Sequence, residues 1–165
     1  MTMNRLGRCG SFMVTLLLGC SCGWPGDSAR QEVSTMMARN RRCRPDFAIL
    51  IYPVVTMGEG GHSGSRKNLL GPDPKPELME LFSNERQVTG NTPPAFLAHA
   101  LDDKVVPPEN SRRFAEALRS HNIPAEYLEL PSGGHGLNHY QGPMWDAWQK
   151  QSLEWLAKNG FTQGK

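Results

Sequence analysis

Continuous apolar runs, separated by polar and amphipathic stretches, occupy the chain from residue 45 onward. Residues 47–52 form an unbroken apolar run rich in strand-forming residues, a pattern typical of a strand buried on both faces of a parallel sheet, and Ala95–Ala100 is predicted to be a second buried strand. A third run, Ala125–Leu130, mixes polar with apolar residues. It is therefore predicted to form a strand nearer the edge of the same sheet.

Helical patterns lie between these runs. Pro76–Phe82 starts with a proline and an early glutamate, which predicts a short helix. Residues 109–118 place their apolar side chains along one stripe, and Asn110 or Ser111 is available as the helix cap. Strands that alternate with helices imply βαβ units, a parallel sheet and an α/β fold.

Two further segments have contrasting patterns. Residues 145–159 align three tryptophans on one helical face, which favours core packing over a ligand platform, and Gly160 is predicted to end that helix. The glycine-rich segment 58–71 is predicted to be a surface loop. The alternative for this segment is that its His62 and Arg66 border a pocket.

Composition and charge narrow the class of protein. The 165 residues, 38% of them hydrophobic and 21% charged, predict one globular domain or part of one. A net charge of +2 is too balanced for a nucleic-acid partner, and the longest apolar run, residues 12–18, is too short for a transmembrane span. All four cysteines precede residue 44, without metal-site spacing. No metal or other cofactor is therefore predicted.

The amino-terminal segment, residues 1–43, allows two interpretations. Arg5 and Arg8 precede the apolar run that leads to Cys20, a layout that resembles a secretory signal with a bacterial lipoprotein box. Alternatively, residues 12–18 form a strand that enters Gly-Cys-Ser-Cys-Gly, where Ser21 occupies the serine position of a nucleophile elbow. An exported and a cytoplasmic protein therefore both remain open.

An acid and a histidine follow the second and third predicted strands. Asp102 and Asp103 come after Ala95–Ala100, and His135 comes after Ala125–Leu130, with glycines on either side. The carboxyl ends of parallel strands share one edge of the sheet, so these loops are expected to meet. A histidine base needs a carboxylate to orient it, and Asp103 is the candidate. Asp102 lies closer to the strand and is predicted to hydrogen-bond the turn.

The motifs in this part of the chain resemble the carboxyl-terminal half of α/β-hydrolase esterases, in particular acetyl esterases and acetylxylan esterase-like proteins that are often labelled xylanases. The resemblance covers residues 44 to about 156 and assigns residues 44–160 to the carboxyl-terminal part of such a domain. It implies a three-layer α/β-hydrolase fold, truncated, with a mostly parallel sheet and flanking helices. The motifs are RPDFAILIYPV at 44–54, TPPAFLAHA at 92–100, DDKVVP at 102–107, Asn110-Ser111 and GGHG at 133–136.

The resemblance also implies a function and a set of site residues. Ser21 would attack the ester, His135 would act as the base, Asp103 would orient His135, and the amide of Cys22 would be an oxyanion donor. The implied activity is hydrolysis of small-molecule or carbohydrate esters. The alternatives are a serine peptidase of the prolyl-oligopeptidase type and a catalytically inactive fragment or lipoprotein.

The sequence around Ser21 departs from the esterase pattern. Trp24-Pro25-Gly26 follows the serine where a helix is expected. One hypothesis is that the residues after Ser21 are an out-of-frame translation and that the family frame resumes near Cys43, which resequencing of the coding DNA would test. An incomplete sheet would leave an unpaired strand edge, so weak or absent turnover is expected.

Overall fold

A three-stranded parallel sheet forms the centre of the computed structural model, which describes residues 45–162. The strands are β1 (Ala48–Ile51), β2 (Ala95–Ala100) and β3 (Ala125–Leu130), in the order β1-β2-β3. Their register aligns Ala48 with Ala95 and Ala95 with Ala125, so all three carboxyl ends lie at one edge. The predicted strands are confirmed, although β1 is shorter than predicted. The interpretations of residues 1–43 lie outside the described residues.

Helices cover both faces of this sheet. Because successive side chains of a strand point to opposite faces, Phe96 and Ala98 of β2 pack with Trp155 in one cluster, and Leu97 packs with Leu118 in the other. The result is the predicted α/β arrangement of a parallel sheet with flanking helices. The longer helices of the described chain are α1 (Ser63–Leu70), α2 (Pro76–Phe82), α3 (Glu109–Ser120) and α4 (Pro143–Lys158), with a 3-10 turn at Asn84–Arg86 and a four-residue helical turn at Leu137–Tyr140.

The last helix, α4, packs its tryptophans against the core as predicted. Trp155 is buried, and Trp145 and Trp148 are partly buried against the same cluster. The helix ends at Lys158, and Gly160 follows with a φ of 75°, a left-handed conformation that glycine adopts readily. Within residues 45–162, no helix combines the length and apolar character needed to cross a bilayer.

The prediction of a surface loop over residues 58–71 is wrong, because α1 lies within it. This helix buries none of its residues, so it carries no apolar stripe that a sequence pattern could reveal. Its first turn is capped by His62, whose Nδ1 accepts a hydrogen bond from the Ser65 amide at 3.2 Å. Arg66 donates to the Met57 carbonyl oxygen at 3.4 Å.

The predicted cap of α3 is also wrong. The N-cap residue is Pro108, and the side chains of Asn110 and Ser111 are fully buried. Oδ1 of Asn110 accepts hydrogen bonds from the amides of Val55 and Thr56, at 3.0 and 3.1 Å. These polar side chains bond other segments of the fold, because they lie on the side of α3 that faces the interior.

Candidate active site

The loops after β2 and β3 bring Asp103 and His135 into contact at the carboxyl edge of the sheet. Oδ2 of Asp103 lies 2.8 Å from Nδ1 of His135. The carboxylate is fully buried, whereas 30% of the His135 side chain remains exposed. The structure therefore brings together these two sequence-predicted residues, with the acid inside the protein and the imidazole open to a ligand.

The Asp103 carboxylate is held by donors on both of its oxygens. The amides of Val105 and Val106 donate to Oδ1 at 2.8 and 2.9 Å, and His99 Nε2 lies 3.3 Å from Oδ2. Burial alone would raise the pKa of this carboxyl, but the hydrogen bonds from His99, the Val106 amide, His135 and the Val105 amide together lower it to about 2. Asp103 is therefore a carboxylate at neutral pH.

Asp102 joins the two loops. Its carboxylate accepts hydrogen bonds from the amides of Gly133 and Gly134, at 3.3 and 2.8 Å. The prediction that Asp102 hydrogen-bonds a turn is met in the loop after β3 rather than in its own loop. This contact holds the backbone just before His135 close to the acid that His135 contacts.

The contact with Asp103 determines the tautomer of His135. A carboxylate can only accept, so we assign the proton to Nδ1, which leaves the lone pair on Nε2. A neutral imidazole in this state can take a proton at Nε2 and become a cation beside the carboxylate. The pair can therefore act as an oriented general base.

Tyr52 is a member of the site that the sequence analysis missed. It follows β1 directly, is only 3% exposed, and its ring centroid lies 4.7 Å from that of His135. Burial, together with the charge and the side-chain hydrogen bond of Tyr140 and the charge of Asp103, raises the pKa of Tyr52 to about 12. Its position at the carboxyl end of a predicted strand could have identified it as a site residue. In the sequence, its aromatic side chain indicated only that the segment forms a strand.

The segment after His135 has an unusual backbone. Leu137–Tyr140 forms one helical turn in which every residue has a positive φ, from 46° at Leu137 to 66° at Tyr140. Each left-handed non-glycine residue costs about 1–2 kcal/mol, so the turn needs compensating contacts. Leu137 is completely buried, and Tyr140 is hydrogen-bonded to Tyr52. These contacts anchor both ends of the turn.

His99 is the second residue of the site that the sequence analysis missed. It lies in β2 and is completely buried, with Nδ1 at 2.7 Å from Ser111 Oγ and Nε2 at 3.0 Å from the Val106 carbonyl oxygen. In the sequence it is one polar residue within an otherwise apolar run. A histidine four residues before the candidate acid was the signal that could have identified it.

The other predicted site residues, Ser21 and Cys22, lie outside the described residues. Within residues 45–162, no three side chains of the metal-binding types converge on one site. The described part of the candidate site consists of His135, Asp103 and the side chains that contact them.

Comparisons with known proteins relate this part of the chain to hydrolases. The prolyl oligopeptidase family matches residues 62–160. The chain is 45% identical over 121 residues to endo-1,4-beta-xylanase B of Butyrivibrio fibrisolvens, covering 72% of this chain and 19% of that protein. It is 37% identical over 98 residues to the acetylxylan esterase of Xylanibacter ruminicola, covering 56% of this chain and 20% of that protein.

A solved structure extends the comparison to the fold. The acetyl ester-xyloside bifunctional hydrolase of Caldicellulosiruptor lactoaceticus superposes with a TM-score of 0.70 at 42% identity, over 73% of this chain and 45% of that one. The chain thus spans about a fifth of the length of the two curated relatives and about half of this structure. These comparisons identify the fold as that of the α/β-hydrolases.

Proposed function

The chain belongs to the prolyl oligopeptidase family, and on this premise we propose that it is a carboxylic ester hydrolase that acts on acetyl esters of small molecules or carbohydrates. The observation that carries the proposal is the 2.8 Å contact between Asp103 and His135. An ionised, buried acid beside a partly exposed imidazole, at the carboxyl edge of a parallel sheet, is the arrangement of acid and base that a serine hydrolase needs. The names of the similar proteins, an acetylxylan esterase and an acetyl ester-xyloside bifunctional hydrolase, support the acetyl ester as substrate class.

The proposed reaction begins at Ser21. Its Oγ attacks the ester carbonyl carbon while its proton moves to Nε2 of His135, and the tetrahedral oxyanion is bound by the backbone amide of Cys22. The imidazolium then protonates the departing alcohol, which leaves an acyl-serine. Water attacks this acyl group with His135 again as the base, and acetate and the free serine are released.

Asp103 contributes orientation and charge to both steps. Its pKa of about 2 means that it remains negative while His135 gains and loses a proton at neutral pH. The developing imidazolium is therefore formed beside a full negative charge inside the protein, where electrostatic interactions are stronger than in water. The carboxylate also holds Nδ1–H in place, which keeps Nε2 directed away from the acid.

The experiment is hydrolysis of p-nitrophenyl acetate by the purified full chain and by single variants. We expect His135→Ala and Asp103→Ala each to lower kcat/KM by at least about 100-fold. His121→Ala is the matched control, because His121 is an exposed histidine at the end of α3, and it should retain the wild-type rate. Equal rates for wild type and His135→Ala would contradict the proposal.

Ser21 requires its own test. A fluorophosphonate probe reacts with an activated serine, and digestion with mass spectrometry locates the modified residue. We expect labelling at Ser21 in the wild type and its loss in both Ser21→Ala and His135→Ala. Labelling at another serine, with esterase activity intact, would assign the role of nucleophile to that serine. The proposed roles of His135 and Asp103 would then be unchanged.

A peptidase is the second candidate, and the family match is the observation that favours it. The same base and acid would serve amide cleavage, because both reactions pass through an oxyanion and need a protonated leaving group. A proline-containing peptide p-nitroanilide, assayed beside p-nitrophenyl acetate, distinguishes the two. A higher kcat/KM for the anilide would favour the peptidase, and no turnover of either would favour an inactive fragment.

A further inference from the structure

His99 is a polar residue in β2, the described strand whose residues are all buried. All six residues of β2 are buried, and the His99 side chain has no exposed surface. A buried imidazole is tolerated only when both ring nitrogens have hydrogen-bond partners. The partners of His99 are Ser111 on α3 and the segment that follows Asp103.

These partners determine the proton positions on His99. The Val106 carbonyl oxygen can only accept, so the proton lies on Nε2 at 3.0 Å from it. Nδ1 then carries the lone pair and accepts from the Ser111 hydroxyl at 2.7 Å. The Nε2–H of His99 is thus directed to the loop that carries the candidate acid.

The same Nε2 also lies close to the acid itself, 3.3 Å from Oδ2 of Asp103. This oxygen is the one that faces His135, whereas Oδ1 accepts from two backbone amides. The terminal torsion of an aspartate is broad and roughly two-fold, so a carboxylate bonded on one side alone could rotate. His135 is itself the group to be aligned, so His99 supplies a donor that fixes Oδ2 independently of His135, while the two amides fix Oδ1.

From this geometry we propose that His99, oriented by Ser111, is a positioning residue that fixes the rotation of the Asp103 carboxylate and so aligns Oδ2 with Nδ1 of His135. The inference rests on the proposed function, because it concerns the acid of that site. His99 acts through Asp103 and does not itself contact the substrate. Its loss should therefore lower kcat and leave KM nearly unchanged.

Two variants of His99 separate positioning from packing. His99→Gln places an amide nitrogen where Nε2 was, within reach of Asp103, whereas His99→Asn places its nitrogen only where Nδ1 was, toward Ser111. Both are polar and both leave unfilled volume. We expect the Gln variant to retain kcat within about threefold and the Asn variant to lose about tenfold or more, with KM unchanged in both. Equal kcat values in the two variants, whether high or low, would overturn the proposal.

Leu118→Ala controls for lost stability, because Leu118 is buried in the cluster with Leu97 on the same face of the sheet as His99, and its aliphatic side chain forms no hydrogen bond with the site. Its melting temperature should fall at least as far as that of His99→Asn, while its kcat stays at the wild-type level. An equal loss of kcat in Leu118→Ala would mean that lost stability explains the His99 effect, and the positioning role would be wrong.

A second readout separates this inference from the proposed function. The Nδ1–H of His135, bonded to Asp103, should give a downfield proton resonance that is absent in His135→Ala. We expect this resonance to persist in His99→Gln and to shift or broaden in His99→Asn. If the wild type hydrolyses no ester, the proposed function fails, while the resonance still decides the role of His99: an identical signal in both variants would refute it.

Discussion

The ring of Tyr52 packs against the imidazole of His135, with ring centroids 4.7 Å apart and planes inclined by 60°. Tyr52 makes this contact immediately after β1, with a φ of 40°. A positive φ is a genuine outlier for a bulky residue and is found mainly where surrounding contacts enforce it. The contact with His135 and the hydrogen bond to Tyr140 are among the contacts that hold the Tyr52 backbone in this conformation.

Substitution of Tyr52 should reveal the backbone strain. Tyr52→Ala and Tyr52→Gly both remove a buried aromatic side chain, at about 3–5 kcal/mol of unfolding free energy. Glycine adopts a positive φ without penalty, so we expect Tyr52→Gly to be about 1 kcal/mol more stable than Tyr52→Ala in urea unfolding. At a position with an ordinary negative φ, the alanine variant would be the more stable of the two. An alanine variant more stable than the glycine variant would show that the backbone at this position is not left-handed.

The depressed pKa of Asp103 makes its stabilising effect depend on pH. The pKa falls from 3.8 to about 2 on folding, so the carboxylate contributes about 2 kcal/mol above pH 4, and this contribution is lost as pH falls toward 2. We expect the difference in unfolding free energy between wild type and Asp103→Asn to shrink as pH falls from 4 toward 2. Urea titrations at several pH values measure this difference.

Asp73→Asn provides the control, since Asp73 lies on the exposed surface between α1 and α2. Its stability should follow that of the wild type at every pH. A difference between wild type and Asp103→Asn that stays constant down to pH 2 would show that the Asp103 carboxyl has an ordinary pKa.

Three glycines test different physical requirements. A Cβ atom at Gly61 would overlap the carbonyl oxygen of Thr56, a backbone atom, so Gly61→Ala should cost about 3 kcal/mol or more. Gly134 has open space but a φ of +57°, so Gly134→Ala should cost about 1 kcal/mol. Gly90 has open space and no such φ, so Gly90→Ala should be neutral or slightly stabilising.

Thermal unfolding of the three variants should follow that order. Because the amide of Gly134 donates to Asp102 in the loop of the candidate site, a strained backbone in Gly134→Ala should also lower the proposed esterase activity, whereas Gly90→Ala should leave it unchanged. A Gly61→Ala variant as stable as Gly90→Ala would contradict the close approach of the backbone at Thr56.

The sequence by itself determined the sheet and the edge at which the candidate site lies. A strand covered on both faces needs apolar side chains in both directions, and β2 therefore appears in the sequence, with the predicted bounds, as a run that is apolar except at His99. Because parallel strands end at the same edge, the order of Asp103 and His135 along the chain was sufficient to predict that their loops meet. That reasoning uses only local pattern and strand direction.

The tertiary structure alone decided which side chains support the acid and the base. The functions of His99, Ser111 and Tyr52 depend on distances between segments that are remote in sequence, and no local pattern records those distances. The helix α1 was missed for a related reason: it buries none of its residues, so its sequence shows no apolar periodicity. Hydrophobic patterns report what a segment buries, whereas the hydrogen bonds of buried polar groups depend on which segments the completed fold brings together.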